Sequence, residues 1–318
     1  MSTRDRSEAL TGDVDCLWFA WTAGDRAVRK ARTETETPVI EREPGVTAEA
    51  VLPTLRPACF LLSEGESLRW WSAVRGYLGP PLPLPGGDLR VLGLREGDGE
   101  GPGVLAADSE RLLVHGPRGW SAALGLDSAP LVLAWQSRRR RALVVTESGT
   151  VHQYDPGSGH TETVEPPSPR RYLHGAYDEI LGGIWLVPAD SPGTACFVRA
   201  EPWPPTPVYE VDLPAVATGL GVSHSGEWLI VYTGDRPAAW LYNVNGARSF
   251  EAPRGMAELS WPGAFTFANH LIAVDRDTAE AVEIPARADI RAPGGELDID
   301  VFWEARPRMH RASKANRT

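Results

Sequence analysis

The chain has 318 residues, 42% of them hydrophobic, with a formal net charge of −10 and a pI near 5.3. That length exceeds the usual prior for one domain, but closed all-β folds routinely reach it as a single unit. An acidic balance disfavours nucleic-acid and anionic-membrane surfaces, which demand clustered Lys and Arg. The excess of Trp, 12 against 7 Phe and 7 Tyr, leans toward pleated structure, where aromatic side chains pack well.

The N-terminal segment MSTRDRSEALTGD carries no apolar leader, and no run approaches the ~18 apolar residues of a membrane span. Cys16, Cys59 and Cys196 are widely spaced and odd in number, which predicts buried free thiols in place of a disulfide frame or a zinc site. These features together predict a soluble cytoplasmic protein in a reducing compartment.

A repeat of about 42 residues then governs the chain. Its first copy is irregular and begins at Leu17. The second is Cys59 to Trp70, with a turn at Glu64, Gly65 and Glu66. A Pro-rich connector (79–88, GPPLPLPGGD) and a Gly-rich polar loop (95–103, REGDGEGPG) follow; neither composition supports ladder pairing. The third copy runs from Val104 to His115.

The fourth copy is the clearest. Leu131 to Trp135 predicts a strand, Ser137 to Arg140 a turn, and Leu143 to Val145 a short apolar run suited to a strand covered on both faces. Glu147-Ser148-Gly149 predicts a tight turn with Gly149 at positive φ. Thr150 to Tyr154 and Thr161 to Val164 complete four antiparallel strands, the content of one propeller blade. A weaker copy starts at Ile184, the Pro-rich loop EPWPPTP (201–207) follows, and further copies start at Leu229 and Leu271. Starts at 17, 59, 104, 143, 184, 229 and 271 are separated by 42, 45, 39, 41, 45 and 42 residues, a regularity that short apolar runs rarely produce by chance.

Ser223-His224-Ser225-Gly226-Glu227-Trp228-Leu229, followed by Trp240-Leu241-Tyr242-Asn243 and Gly246, resembles a degenerate WD40-type or YVTN-type blade; Tyr154-Asp155 and Tyr242-Asn243 stand where such blades carry a Trp-Asp-like pair. The Gly-His dipeptide of WD40 repeats is missing in register, since Gly159-His160 falls in a turn. The size and degeneracy are similar to those of bacterial propellers encoded beside MoxR-type ATPases and von Willebrand A proteins. The resemblance implies architecture alone: an all-β, seven-bladed β-propeller of four-stranded antiparallel blades, one domain over 1–305, with a basic tail (306–318) outside it. Leu297 to Trp303 alternates well, and residues 4–10 make a poor strand, so the C-terminal segment is expected to complete the first blade and remove its free edge.

No metal, nucleophile or phosphate motif is present: no H-E-x-x-H, no C-x-x-C, no G-x-S-x-G, no Walker sequence. Three groups of residues remain. Arg138, Arg139 and Arg140, with Arg141, form a turn that could grip phosphate or carboxylate, or simply be solvated. The turns after the second strands carry Asp25, Glu64 and Glu66, Asp108 and Glu110, Glu147, Asp190, Asp235, and Asp275 and Asp277. Projected from one face, they would make a docking surface for a basic partner or a weak calcium site; Asp and Glu also simply suit turns. Trp70 and Trp71 point to opposite faces of one strand and suit packing between blades, whereas Trp203, in the Pro-rich loop, suits a contact surface.

With no cofactor indicated, these features predict a non-catalytic, monomeric scaffold that binds a partner protein. Two alternatives stay open: a metal-dependent lactonase or lyase with its site at the central channel, and a sugar or lipid binder.

Overall fold

The computed structural model describes residues 10–22, 24–32, 39–86, 89–94, 103–166, 169–223, 226, 228–233, 238–243, 248–251, 259–266, 271–275 and 281–284. Among these residues the chain is all-β, without a helix, and forms seven antiparallel sheets in sequence order. Six have four strands and the seventh has three. Each sheet is a plain meander, so consecutive strands are hairpin partners.

The second strands are Trp18–Thr22, Cys59–Glu64, Val104–Ala107, Arg141–Thr146, Gly183–Pro188, Trp228–Thr233 and Leu271–Asp275. They coincide with the seven apolar runs of the sequence. The third sheet shows why those runs are continuous. Val104 and Ala106 pack into a cluster with Leu61 and Trp70 of the second sheet, while Leu105 and Ala107 pack with Val144 and Tyr154 of the fourth. Side chains alternate across a strand, and here both faces meet a neighbouring sheet, so no position is left for a polar residue.

The same layering runs along the chain. Clusters join the first sheet to the second, the fourth to the fifth and the fifth to the sixth. Another joins Phe19 and Trp21 of the first sheet to Ile272 and Val274 of the seventh. Trp71 packs toward the first sheet and Trp70 toward the third, as their adjacent positions require. The core is thus a set of inter-sheet layers.

The leading strands stand next to one another in order from Ala50–Leu52 through Arg90–Gly93, Pro130–Gln136, Tyr172–Asp178 and Gly219–Val222 to Leu259–Phe265. Leu259–Phe265 in turn contacts Thr11–Gly12 of the first sheet, and the first sheet reaches the second through Trp18–Thr22 and Ala50–Leu52. Gly175 permits the close approach of the fourth and fifth: a Cβ there would lie 2.7 Å from Val132 Cγ2.

The leading strand of the first sheet comes from the N-terminal side. Thr11 and Gly12 pair with Ala20 and Phe19, and Thr11 Oγ1 donates to the Val51 carbonyl at 2.8 Å. Leu10 is buried beside Phe19 and Trp21. The position that residues 297–303 were expected to fill is therefore taken by a strand too short to register in an apolar pattern. Residues 297–303 and the tail 306–318 lie outside the described residues.

Candidate functional site

In a meander, the turn between the first and second strands and the turn between the second and third leave opposite ends of the sheet. Arg138, Arg139 and Arg140 are on the first kind of turn in the fourth sheet, with Arg140 at φ 56°. Among the described residues none of the three has a carboxylate within ion-pair distance, whereas Arg141 reaches Glu162 at 2.6 Å and Gln153 at 3.2 Å. Glu64, Asp108 and Glu147 are on the second kind of turn. Asp235 and Asp277, and the side chain of Asp275, lie outside the described residues.

The acidic turns come with arginine partners that the sequence reading did not assign. Asp25 pairs with Arg29 at 3.1 Å, Glu64 with Arg69 at 3.2 Å, Asp108 with Arg111 at 3.2 Å, Glu147 with Arg171 at 2.9 Å and Asp190 with Arg170 at 3.0 Å. Asp108 is also a turn cap: Oδ1 accepts the Glu110 and Arg111 amides, each at 2.8 Å. Partial burial pushes its carboxyl up, but those amides and the Arg111 guanidinium outweigh it and hold the group below the usual range. Three of the arginines follow their acid by three to five residues on the next strand, a spacing visible in the sequence. Arg170 and Arg171 arrive from the connector between the fourth and fifth sheets, which no local pattern announces.

That connector builds the most developed site. A cleft of about 950 Å³ opens at the end of the fourth sheet that bears Glu147. Its walls are the segment before the sheet (Asp127), the turn after the second strand (Ser148, Thr150), the third strand (His152) and the connector (Glu165, Arg170, Arg171). Gly149 makes the wall possible. Its φ is 82°, and a Cβ there would sit 2.5 Å from Tyr172 Cε2, so only glycine lets the turn lie against the fifth sheet. The Tyr172 amide donates to the Glu147 carbonyl at 2.7 Å, and the Glu147 amide to the Ala129 carbonyl at 2.9 Å, which ties both connectors to the turn.

Asp127 is the hub. Thr146 Oγ1 donates to its Oδ1 at 2.9 Å, Thr150 Oγ1 donates to its Oδ2 at 2.9 Å, and Ser148 Oγ also donates to Oδ2. Partial burial pushes the Asp127 carboxyl up, but the hydroxyl donors outweigh it and hold it at about 2. His152 is only 4% exposed; its Nδ1 lies 2.9 Å from Thr163 Oγ1, and its Nε2 faces Asp127 Oδ1 at 3.6 Å. Burial lowers the imidazole pKa against the opposing pull of Asp127, so the ring is neutral at neutral pH.

Serine, histidine and aspartate are present, but their order is not that of a nucleophilic triad. The Ser148 hydroxyl faces the carboxylate and not the imidazole, and a carboxyl at about 2 is too weak a base to take its proton. What the group can do is accept hydrogen bonds and hold negative charge.

A second groove of about 320 Å³ adjoins the cleft, sharing Glu165, Pro166 and Arg170, and runs between the fourth and fifth sheets. It is lined by Val151, Val164, Tyr172, Pro207 and Tyr209, and Val208 and Tyr209 are exposed at its edge. Arg170 spans its mouth, 3.0 Å from Asp190 and 2.8 Å from Glu210. Burial and the neighbouring Glu210 push the Cys196 thiol up to about 12, so it holds no thiolate at neutral pH. Trp203 is half-buried against the cluster joining the fourth and fifth sheets.

Across cleft and groove, the two guanidiniums of Arg170 and Arg171 face the five carboxylates of Asp127, Glu147, Glu165, Asp190 and Glu210. The excess is negative. Among the described residues, no group of three or more His, Cys, Asp or Glu side chains has metal-binding geometry. No protein-family model matches the chain, and no curated protein matches it.

Proposed function

We propose that the chain is a seven-bladed β-propeller of the degenerate WD40- or YVTN-like kind, acting as a non-catalytic scaffold. Its partner would be a protein whose basic segment docks in the cleft between the fourth and fifth sheets. The architecture is supported by the succession of leading strands and by the packing of Phe19 and Trp21 on Ile272 and Val274, which would close the ring.

The observation that carries the functional reading is the carboxylate excess in a cleft that continues into an apolar groove. A basic segment with interspersed aliphatic side chains matches both parts. Opposed charge raises the encounter rate and selects the partner, and buried apolar contacts add affinity. Elsewhere on the same end of the sheets, Glu64 and Asp108 are each offset by a local arginine, which leaves one carboxylate without an ion pair on each of those turns, Glu66 and Glu110, against an excess of three across the cleft and groove. The Ser148–Asp127 order and the protonated Cys196 favour binding over nucleophilic chemistry there.

Fluorescence anisotropy with a labelled (Lys-Ala-Leu)₃ peptide and its (Glu-Ala-Leu)₃ counterpart tests this. The basic peptide should bind, and its affinity should fall as salt shortens the screening length below the roughly 8 Å of physiological buffer. The double variant Asp127→Asn, Glu165→Gln should weaken it about tenfold, the effect of about 1.4 kcal/mol. Equal binding of both peptides, or an unchanged affinity in the double variant, would overturn the reading.

A further inference from the structure

We infer that the end of the sheets opposite the cleft is a docking surface for an anionic phospholipid bilayer. It is carried by hairpin turns of four consecutive sheets, the second to the fifth, and does not depend on the reading of the cleft.

The direction of the leading strands brings these turns to one end. Thr54, just past the second leading strand, forms a parallel bridge with Gly93 at the end of the third. Arg90 Nε donates to the Pro130 carbonyl, which joins the starts of the third and fourth. Tyr172, at the start of the fifth, is tied by its amide to the Glu147 carbonyl, in the acidic turn of the fourth sheet. The four strands therefore run the same way, and each leads into a turn at the end that bears Arg138, Arg139 and Arg140. The turn between the third and fourth strands of a meander returns to that end. Val74, Arg75 and Tyr77 of the second sheet and Arg118 of the third are on turns of this kind, and Ile180 and Leu181 are on the first turn of the fifth.

Two kinds of side chain stand on these turns. Val74 is 62% exposed, Tyr77 54%, Ile180 48% and Leu181 43%. Among the described residues, Arg75 and Arg118, like the three arginines of the fourth sheet, have no carboxylate within ion-pair distance. Five guanidiniums thus face three carboxylates on the described turns of this end that are not buried, Asp155, Glu179 and Glu201. Asp155 is engaged as a turn cap, its Oδ1 accepting the Gly157 amide at 2.8 Å. Residues 95–102, between the first two strands of the third sheet, lie outside the described residues.

This combination fits a bilayer better than a protein segment. A segment fills a groove, whereas these groups are on projecting turns spread over four sheets, which a flat and yielding surface reaches together. Guanidiniums bind phosphate oxygens in a fork. Apolar side chains enter the boundary between headgroups and acyl chains, and tyrosine suits the headgroup level. The tips are already ordered: the Ser72 carbonyl accepts the Gly76 amide at 2.9 Å, and Asp178 Oδ1 accepts the Leu181 amide at 2.9 Å. The net charge of −10 is an average over the chain. Second strands of six residues set the acidic turns about 20 Å from this end. That is more than two screening lengths of about 8 Å at physiological salt, so a bilayer at the arginine end is shielded from them.

Vesicle flotation of the full chain is the test. Phosphatidylcholine vesicles that contain phosphatidylserine should bind it about tenfold or more tightly than phosphatidylcholine alone. The triple variant Arg138→Gln, Arg139→Gln, Arg140→Gln should lose about fivefold per arginine. The double variant Ile180→Ser, Leu181→Ser should lose about tenfold. Glu64→Gln, at the opposite end, should leave binding unchanged. Hydrogen–deuterium exchange of the native chain on the serine-containing vesicles depends on no variant and should show new protection at 74–77, 138–140 and 180–182. Equal association with both vesicle types, full binding by the triple variant, or protection confined to other segments would overturn the inference. So would binding of (Glu-Ala-Leu)₃ at the arginine turn without binding of vesicles, since the partner would then be an acidic protein segment. Binding of (Lys-Ala-Leu)₃ bears on the cleft alone, so the two readings fail separately.

Discussion

Gly149 lies against the ring of Tyr172: a Cβ on Gly149 would come 2.5 Å from Tyr172 Cε2, so the turn of the fourth sheet and the first strand of the fifth are fitted at van der Waals contact. Gly149 is also held at φ 82°. Gly149→Ala should therefore cost roughly 2–4 kcal/mol, the left-handed backbone penalty plus overpacking. Gly65, at φ 58° in the matching turn of the second sheet, has open space around it. Gly65→Ala should cost only the backbone part, about 1–2 kcal/mol. Urea unfolding of the two variants measures the difference; equal losses would mean that the Tyr172 contact is not tight.

Trp71 and Trp203 should respond very differently to truncation. Trp71 is 1% exposed between the first and second sheets, and Trp71→Ala should lose about 3–5 kcal/mol. Trp203 is only half-buried, so Trp203→Ala should lose about half that or less. Thermal melts of both variants decide it, and a Trp203 loss as large as that of Trp71 would show that the loop is part of the core.

The charged groups of the cleft should also divide. The Arg171 side chain is 69% exposed in its pair with Glu147, and Arg171→Ala should change stability by less than about 1 kcal/mol. Asp127→Ala removes the acceptor shared by Thr146, Ser148 and Thr150, two of which are buried, and should cost about 1–3 kcal/mol. Chemical denaturation reads both, and the reverse order would contradict the hub role of Asp127.

His152 sets an acid limit. Burial lowers its pKa below 6.5 in the folded state, so the fold favours the neutral ring. The stability this gives is fully present above about pH 6.5 and declines as pH falls from there toward the folded-state value. His115 and His174 are shifted the same way by burial, so His152→Gln should reduce the acid sensitivity in that window without removing it. The Asp127 contribution has the same sign but is lost at lower pH, progressively from its ordinary value of 3.8 down through about 2. Melting temperatures across pH 4–8 give the comparison; identical slopes for wild type and variant would exclude His152 as a contributor.

The repeat was legible because of how its second strands are buried. Val104 to Ala107 alternates between two clusters in two neighbouring sheets, and that double burial is what makes an uninterrupted apolar run. Thr11–Gly12 was invisible for the opposite reason: two residues carry no period. Of the acidic residues read as turn residues, Asp25, Glu64, Asp108, Glu147 and Asp190 lie at the end of a second strand or in the segment that follows it. Arg29, Arg69 and Arg111 follow closely enough in sequence to have been paired with them, whereas Arg170 and Arg171 reach Asp190 and Glu147 only through the fold. The cleft itself was hidden. Asp127 precedes its partners Thr146, Ser148 and Thr150 by 19 to 23 residues and belongs to the connector before their sheet. His152 lies within the predicted strand from Thr150 to Tyr154, and its neighbours in space, Asp127 and Thr163, are 25 and 11 residues away in sequence. The packing of Trp203 was not legible either: a Pro-rich loop suggests exposure, and the ring is half-buried against the cluster between the fourth and fifth sheets.

Hydrogen–deuterium exchange of the full chain, with and without saturating (Lys-Ala-Leu)₃, tests the central claim most directly, because it locates the binding surface without presuming it. The account predicts new protection in residues 126–129, 147–151 and 163–166, which wall the cleft, and in 206–210, which edge the groove. The turn at Arg138, Arg139 and Arg140, at the opposite end of the fourth sheet, should be unchanged. Protection confined to that arginine turn, or spread evenly over the acidic turns at Glu64 and Asp108, would contradict it.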